Sequence, residues 1–277
     1  MSRQSIRLGI SLGIHPLVGI AALPFLELLR DQDAIQLKQI LGSGQGALSA
    51  ALLAANKSEN EMRAVLKRFM EQSHFKKFNK NMAASMLNIG PQSYHPAQSF
   101  YSGDTKTTFY DDIFGTERME NMPIPLSLVA TDLYTAEPVL IQTGRVSTAV
   151  YAASAWFPFH PPVKYQGRLL VSGGFSDSVP TFNDPDLDLE LAITIQDPVS
   201  WQHTELASDG WAFFERAFQS LEHDSKKKIR KSGETNIIPL PIVVDEPIPY
   251  KGVSDEHIDY IYSISKNLLN KVISSKN

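Results

Sequence analysis

Cysteine is absent from the 277 residues. That excludes a disulfide framework, a thiolate metal site and a cysteine nucleophile, and it fits a reducing compartment. A strong charge of either sign is lacking too. Lys and Arg number 26 against 30 Asp and Glu, a formal net charge of -4, so nothing points to nucleic acid as a partner. The acidic groups lack metal-loop spacing. Asp111-Asp112 and Asp184, Asp186 and Asp188 come without the glycine and glutamate of a calcium loop. They read as solvated loops, and neither a metal nor a cofactor is expected. An uninterrupted apolar run is also missing. No residue from Leu8 to Leu26 is formally charged, but Gly9, Gly13, Pro16, Gly19 and Pro24 break the stretch. Pro16 suits the first turn of a helix, so a strand followed by a helix explains the run better than a signal peptide or a membrane span. The expected compartment is the cytoplasm, with no transmembrane segment.

What is present is an ordinary globular composition, 43% hydrophobic and 20% charged. Apolar strands alternate with helical patterns. Ile6 to Leu12 reads as a parallel strand covered on both faces. Leu17 to about Arg30 follows as a helix that Pro24 kinks or restarts. Leu37 to Leu41 is the second strand. Glu59 to Glu71 is an amphipathic helix with Met62, Val65, Leu66 and Phe69 on one face, and Phe75 to Leu87 suggests another. Residues 88–122 read as a helical and looped insertion over the sheet, a lid. Further strands are expected at Ile124 to Thr131, Pro138 to Gln142, Arg168 to Val171, Leu189 to Ile195 and Ile237 to Val244. Helices are expected at Ser147 to Trp156, Ala212 to Leu221 and His257 to Ile273. The pattern is α/β with a parallel sheet, in one domain spanning 1–277 whose part from about 200 onward diverges.

The stretch Gly42-Ser43-Gly44-Gln45-Gly46 lies between the second strand and an Ala/Leu-rich helix. Strand, glycine turn and helix in that order form the scaffold of a nucleophile elbow, G-x-S-x-G, whose central residue presents its side chain to a cleft. Here the centre is Gly44, which has no side chain to present.

Several dispersed motifs carry a family pattern. They are Leu128-Val129-Ala130-Thr131-Asp132-Leu133, Glu137-Pro138-Val139, Ala152-Ala153-Ser154-Ala155, Pro161-Pro162-Val163, Gly167-Arg168-Leu169, and Gly173-Gly174 ending at Pro180. With the first strand and the elbow, the chain from about Arg7 to Ile195 resembles a bacterial patatin-like phospholipase. The resemblance implies a three-layer αβα fold with a mostly parallel central sheet, patatin-like or lysophospholipase-like. It implies lipid acyl hydrolysis by a Ser–Asp dyad, with a glycine-rich oxyanion loop after the first strand. This sequence departs at all three places. The serine position is Gly44, and the aspartate position is Ser172, whose hydroxyl cannot act as the base. The loop reads Gly13-Ile14-His15-Pro16-Leu17-Val18-Gly19, in which Pro16 has no N–H to offer an oxyanion.

Fallback residues are weighed against plainer roles. Ser43 is offered as a displaced nucleophile, although a neighbour in an elbow points elsewhere and a turn serine is favoured. Asp177 is offered as a substitute acid, although a loop-capping role is favoured. His15 is offered as a base or ligand contact, although a packed or solvent-facing histidine is the commoner case. Phe159 and His160 lie in an aromatic and proline cluster that either lines an apolar pocket or packs as core. Lys226 to Lys231 read as a charged helix end that could also meet anionic lipid. The expected ligand contacts are Gly13, Ile14, His15, Gly42, Gly44, Gln45, Phe159, His160 and Gly173. The leading expectation is a pseudoenzyme that binds a lipid or acyl ligand, or regulates a protein partner, with peripheral membrane contact allowed. The alternative is an acyl hydrolase with a relocated serine.

Overall fold

The structure, a computed structural model, describes residues 5–30, 35–71, 79, 81, 82, 99–182, 184–196, 237–243 and 253–274. Among the described residues, eight strands form one sheet: β1 (Ile6–Leu12), β2 (Ile35–Ser43), β3 (Leu126–Asp132), β4 (Pro138–Ile141), β5 (Val163–Tyr165), β6 (Arg168–Ser172), β7 (Leu189–Gln196) and β8 (Ile237–Val243). Their order is β5-β6-β3-β2-β1-β7-β8, with β4 also paired to β3. The run β3-β2-β1-β7-β8 is parallel, whereas β4, β5 and β6 join antiparallel on the β3 side. The sheet is therefore mixed α/β and mostly parallel, as the alternation of strand and helix patterns implies.

The last five residues of β1 are buried without a break, as a strand with both faces covered requires. Helix α1 (Val18–Arg30) links β1 to β2. It runs through Pro24 without restarting, which leaves the kink of the two expected outcomes. Helix α2 (Gly46–Ala54) is buried at all nine positions, which explains why it is apolar all round. Where α1 meets α2, a Cβ on Gly19 would lie 2.7 Å from Ser49 Cβ, so only glycine lets the two helices approach this closely. Ser49 Oγ seals the contact by donating to the Pro16 carbonyl at 2.6 Å.

Helix α3 (Glu59–Glu71) falls where its apolar spacing puts it and buries Met62, Leu66, Phe69 and Met70. Ser58 and Glu61 bond reciprocally at its start, a capping box. Helix α4 (Asp104–Phe114) supplies the helical part of the expected insertion. Helix α5 (Val146–Ser154) lies between β4 and β5 in the chain and packs against α4, β3 and β6. Helix α6 (Asp255–Ser274) docks on α1 and α3, where Tyr262 donates to Glu27 at 2.8 Å and Arg63 pairs with Asp259 at 2.6 Å. Strand β8 contains Pro239 and Pro241, which cannot donate to a ladder, and accordingly it ends the sheet order. The helix expected at 212–221, nearly all of the one expected at 75–87, the first part of the lid (88–98) and the basic run 226–231 lie outside the described residues.

Candidate functional site

The site is built where β1, β2 and β6 end. Strand β2 stops at Ser43, the chain turns at Gly44 and Gln45, and α2 begins at Gly46. Gly44 has φ +56, the left-handed region that a side chain disfavours. A Cβ on Gly42 would lie 2.6 Å from Ala50 Cβ, so glycine is what lets strand and helix close on each other. The backbone of an elbow is therefore complete, and it presents an α-carbon.

The loop after β1 lies directly on that α-carbon. A Cβ at Gly44 would come within 2.8 Å of both Ile14 Cβ and Ile14 Cγ2. Ile14 Cγ2 also lies 3.3 Å from the Cβ position of Gly174, so one isoleucine side chain fills the gap between the elbow and the turn after β6. The Gly13 carbonyl crowds Gly46 so closely that a Cβ there could not fit. An acceptor oxygen thus sits at the start of α2.

An oxyanion needs free N–H groups converging on one point. Gly13 N donates to Ile193 O at 3.0 Å, Leu17 N to His15 Nδ1 at 3.1 Å, and Val18 N to His15 O at 3.1 Å. Pro16 has no N–H. Four of the six positions from Gly13 to Val18 are therefore unable to serve. His15 is 6% exposed, and its ring nitrogen holds the turn that starts α1.

Ser43 is fully buried, and its Oγ donates to the backbone carbonyl of Asp177 at 2.6 Å. The two fallback residues do meet, but through a peptide oxygen, which cannot accept a proton as a carboxylate would. Asp177 N in turn donates to Gly173 O at 2.8 Å, so this stretch is held as a tight turn. Ser172 ends β6 opposite Ala130. Its Oγ accepts from Gly174 N at 3.3 Å and caps the short turn Gly173–Phe175. Gly173 packs on the Ser43 hydroxyl, 2.6 Å from where its own Cβ would stand. The structure therefore brings together Gly13, Ile14, Gly42, Ser43, Gly44, Ser172, Gly173 and Asp177. The amide oxygen of Gln45, next to Gly44, is buried without a hydrogen bond among the described residues.

Phe159 and His160 belong to a separate aromatic cluster. Phe159 packs on Phe100, Tyr101 and Trp156 with ring centres 5.4–6.1 Å apart. His160 packs on Tyr101 and Tyr151. Burial, and then the charge of Lys106, depress the His160 imidazole to about 2, so it is neutral at physiological pH. Lys106 in this cluster was not singled out from the sequence. Its signal was available: it shares a helix face with Phe109, Tyr110 and Phe114, all buried. Among the described residues, no group of His, Asp and Glu could hold a metal ion, and no helix is long and apolar enough to cross a membrane.

A family model described as patatin-like phospholipase matches residues 15–183. An uncharacterized NTE family protein of Mycobacterium tuberculosis is 34% identical over 84 residues, 30% of this chain and 23% of that protein. Patatin-like phospholipase domain-containing protein 7 of Rattus norvegicus is 25% identical over 172 residues, 61% of this chain and 12% of that protein. The matches thus span less than a quarter of the length of these curated relatives. Among solved structures, VipD from Legionella pneumophila aligns with a TM-score of 0.49 at 13% identity, covering 98% of this chain and 67% of that one.

Proposed function

The chain belongs to the patatin-like phospholipase family, and from that premise we propose that it is a member that binds rather than hydrolyses. The observation carrying this reading is the contact between Ile14 and Gly44. The place where a serine oxygen would attack is filled by an aliphatic side chain. Without a nucleophile the covalent route is closed. Loss of oxyanion donors acts in the same direction, each being worth about 10²–10³ in rate. An apolar residue at this point suits an acyl chain lying past it, or a protein partner that needs the scaffold alone. It gives nothing to an ester carbonyl. A hydrolase relocated to Ser43 is less well supported, because that hydroxyl is buried and spent on a backbone oxygen.

The test is a serine-directed fluorophosphonate probe together with ester substrates of short and long chain, each against a mock preparation. No labelling and no turnover are expected. Covalent labelling at a defined serine, with turnover lost in Ser43→Ala or Ser172→Ala, would overturn the reading. Mass spectrometry of lipid that co-purifies with the protein separates the acyl-binding form of the proposal from the partner-protein form.

A further inference from the structure

Seven buried side-chain polar atoms lack a hydrogen bond among the described residues, and four of them belong to the segment at Gly103 and to Tyr151 and His160, the last two lying near Lys106. They are Ser102 Oγ, Thr105 Oγ1, the Tyr151 hydroxyl and His160 Nδ1. Native proteins pair or hydrate more than about nine in ten such groups, so this clustering requires an occupant.

The region is closely knit. Lys106 is 2% exposed, and its Nζ donates to the Ser154 carbonyl at 3.0 Å. The ring centres of Phe69, Tyr110 and Tyr151 lie 5.6–5.9 Å from the same nitrogen. The Tyr110 hydroxyl is satisfied by Ser154 Oγ at 2.9 Å. The Tyr151 hydroxyl rests against the α-carbon of Gly103, between Ser102 and Asp104, so closely that only glycine fits. His160 stands edge-on to Tyr151, with ring centres 6.5 Å apart. Ser102, Thr105 and His160 are half-buried.

No carboxylate lies within ion-pair range of Nζ among the described residues. Asp104 acts on Tyr151 from the exposed start of α4, and Arg68 of α3 sits over the Phe109 ring at 5.1 Å. Burial pulls the Lys106 amine down to about 7, so it takes up a proton readily when a negative charge arrives. Aromatic faces offset part of the cost of burying a cation. They do nothing for the hydroxyls and the imidazole, which can all act as donors. Water would satisfy these groups and leave the charge unpaired; an anion answers both needs.

We propose that this box binds a compact monovalent anion, either a halide or the carboxylate of a small acid. Lys106 Nζ, the Tyr151 hydroxyl and His160 with its proton on Nδ1 hold it. The groups named here are not those of the elbow, although Ala155, next to Ser154, accepts from Ser172 N at 2.8 Å.

The experiment compares thermal melting at pH 7 and constant ionic strength, with sodium gluconate replaced stepwise by sodium chloride or sodium formate. A rise of about 2–4 °C at saturation is expected, and Lys106→Met abolishes it. Chloride and formate in separate arms identify which class of anion is preferred. Tyr151→Phe keeps the amine and the ring but loses one donor, and it raises the half-saturating concentration about tenfold. If Lys106→Met fails to fold, Tyr151→Phe alone decides. Crystals soaked in bromide should show an anomalous peak within hydrogen-bond distance of Nζ. Equal melting in all three salts, or a rise that survives in both variants, overturns the proposal. A bromide peak without any effect on melting means an adventitious ion only, and overturns it as well.

Discussion

Ile14 Cβ and Cγ2 lie 2.8 Å from the point where a side chain on Gly44 would begin. The loop after β1 fills the space above the turn, and the turn at Gly44 carries no side chain to collide with it. Each fits the other. The pairing therefore predicts how the two positions behave together.

Gly44→Ser alone should destabilise the protein by about 2–5 kcal/mol, from left-handed backbone strain plus overpacking. Adding Ile14→Gly should recover the overpacking share, about 1–3 kcal/mol. Urea unfolding of the two single variants and the double measures this coupling. Costs that simply add would show that Ile14 does not press on Gly44 in solution. The double variant is still expected to be inert toward esters, because Ser172 supplies no carboxylate.

Ser43→Ala removes the donor to a half-buried carbonyl and should cost about 1–2 kcal/mol. It should leave probe labelling at background. A large loss of stability with no chemical effect is the signature of a structural turn serine, and chemical denaturation beside the fluorophosphonate assay reads both.

Gly42→Ala places a methyl 2.6 Å from Ala50 Cβ and 3.1 Å from Ala47 Cα, neither of which can swing aside. The expected cost is about 1–3 kcal/mol. Gly115→Ala has φ +52 but nothing within 4 Å, so it meets strain alone, about 1 kcal/mol. Melting curves of the two variants should separate by several degrees, with Gly42→Ala the lower.

Lys106 gives a pH dependence. Its folded value is depressed from 10.5 to about 7, so the unfolded chain binds more protons between those limits. Stability must then rise with pH across that window, and the penalty is fully present below about 7. Burial raises the facing phenols of Tyr110 and Tyr151, and His160 is already neutral, so Lys106 is the group of the box that titrates there. The stability of Lys106→Met minus that of wild type, followed by urea unfolding in gluconate, should be largest near pH 7 and shrink toward pH 10. A difference that stays flat would mean the amine keeps its ordinary basicity.

The local pattern of residues alone determined the strand–turn–helix at Gly44, the span of α3 and the alternation that makes a parallel sheet. Glycines at fixed spacing dictate a tight turn, and apolar periodicity dictates which face is buried, so neither needs distant partners. That the centre of this turn is a glycine was legible for the same reason: it is the identity of one residue in a recognisable turn. Tertiary structure decided what replaced it. Ile14 and Gly44 are separated by a helix and a strand, and Ser43 reaches Asp177 only because β2 and the turn after β6 end side by side. The aromatic box likewise joins α3, α4, α5 and the loop at His160, so the helix face of Lys106 was legible but the rings that enclose its amine were not. Contacts of that kind depend on the register and twist of the whole sheet, which no stretch of sequence carries by itself.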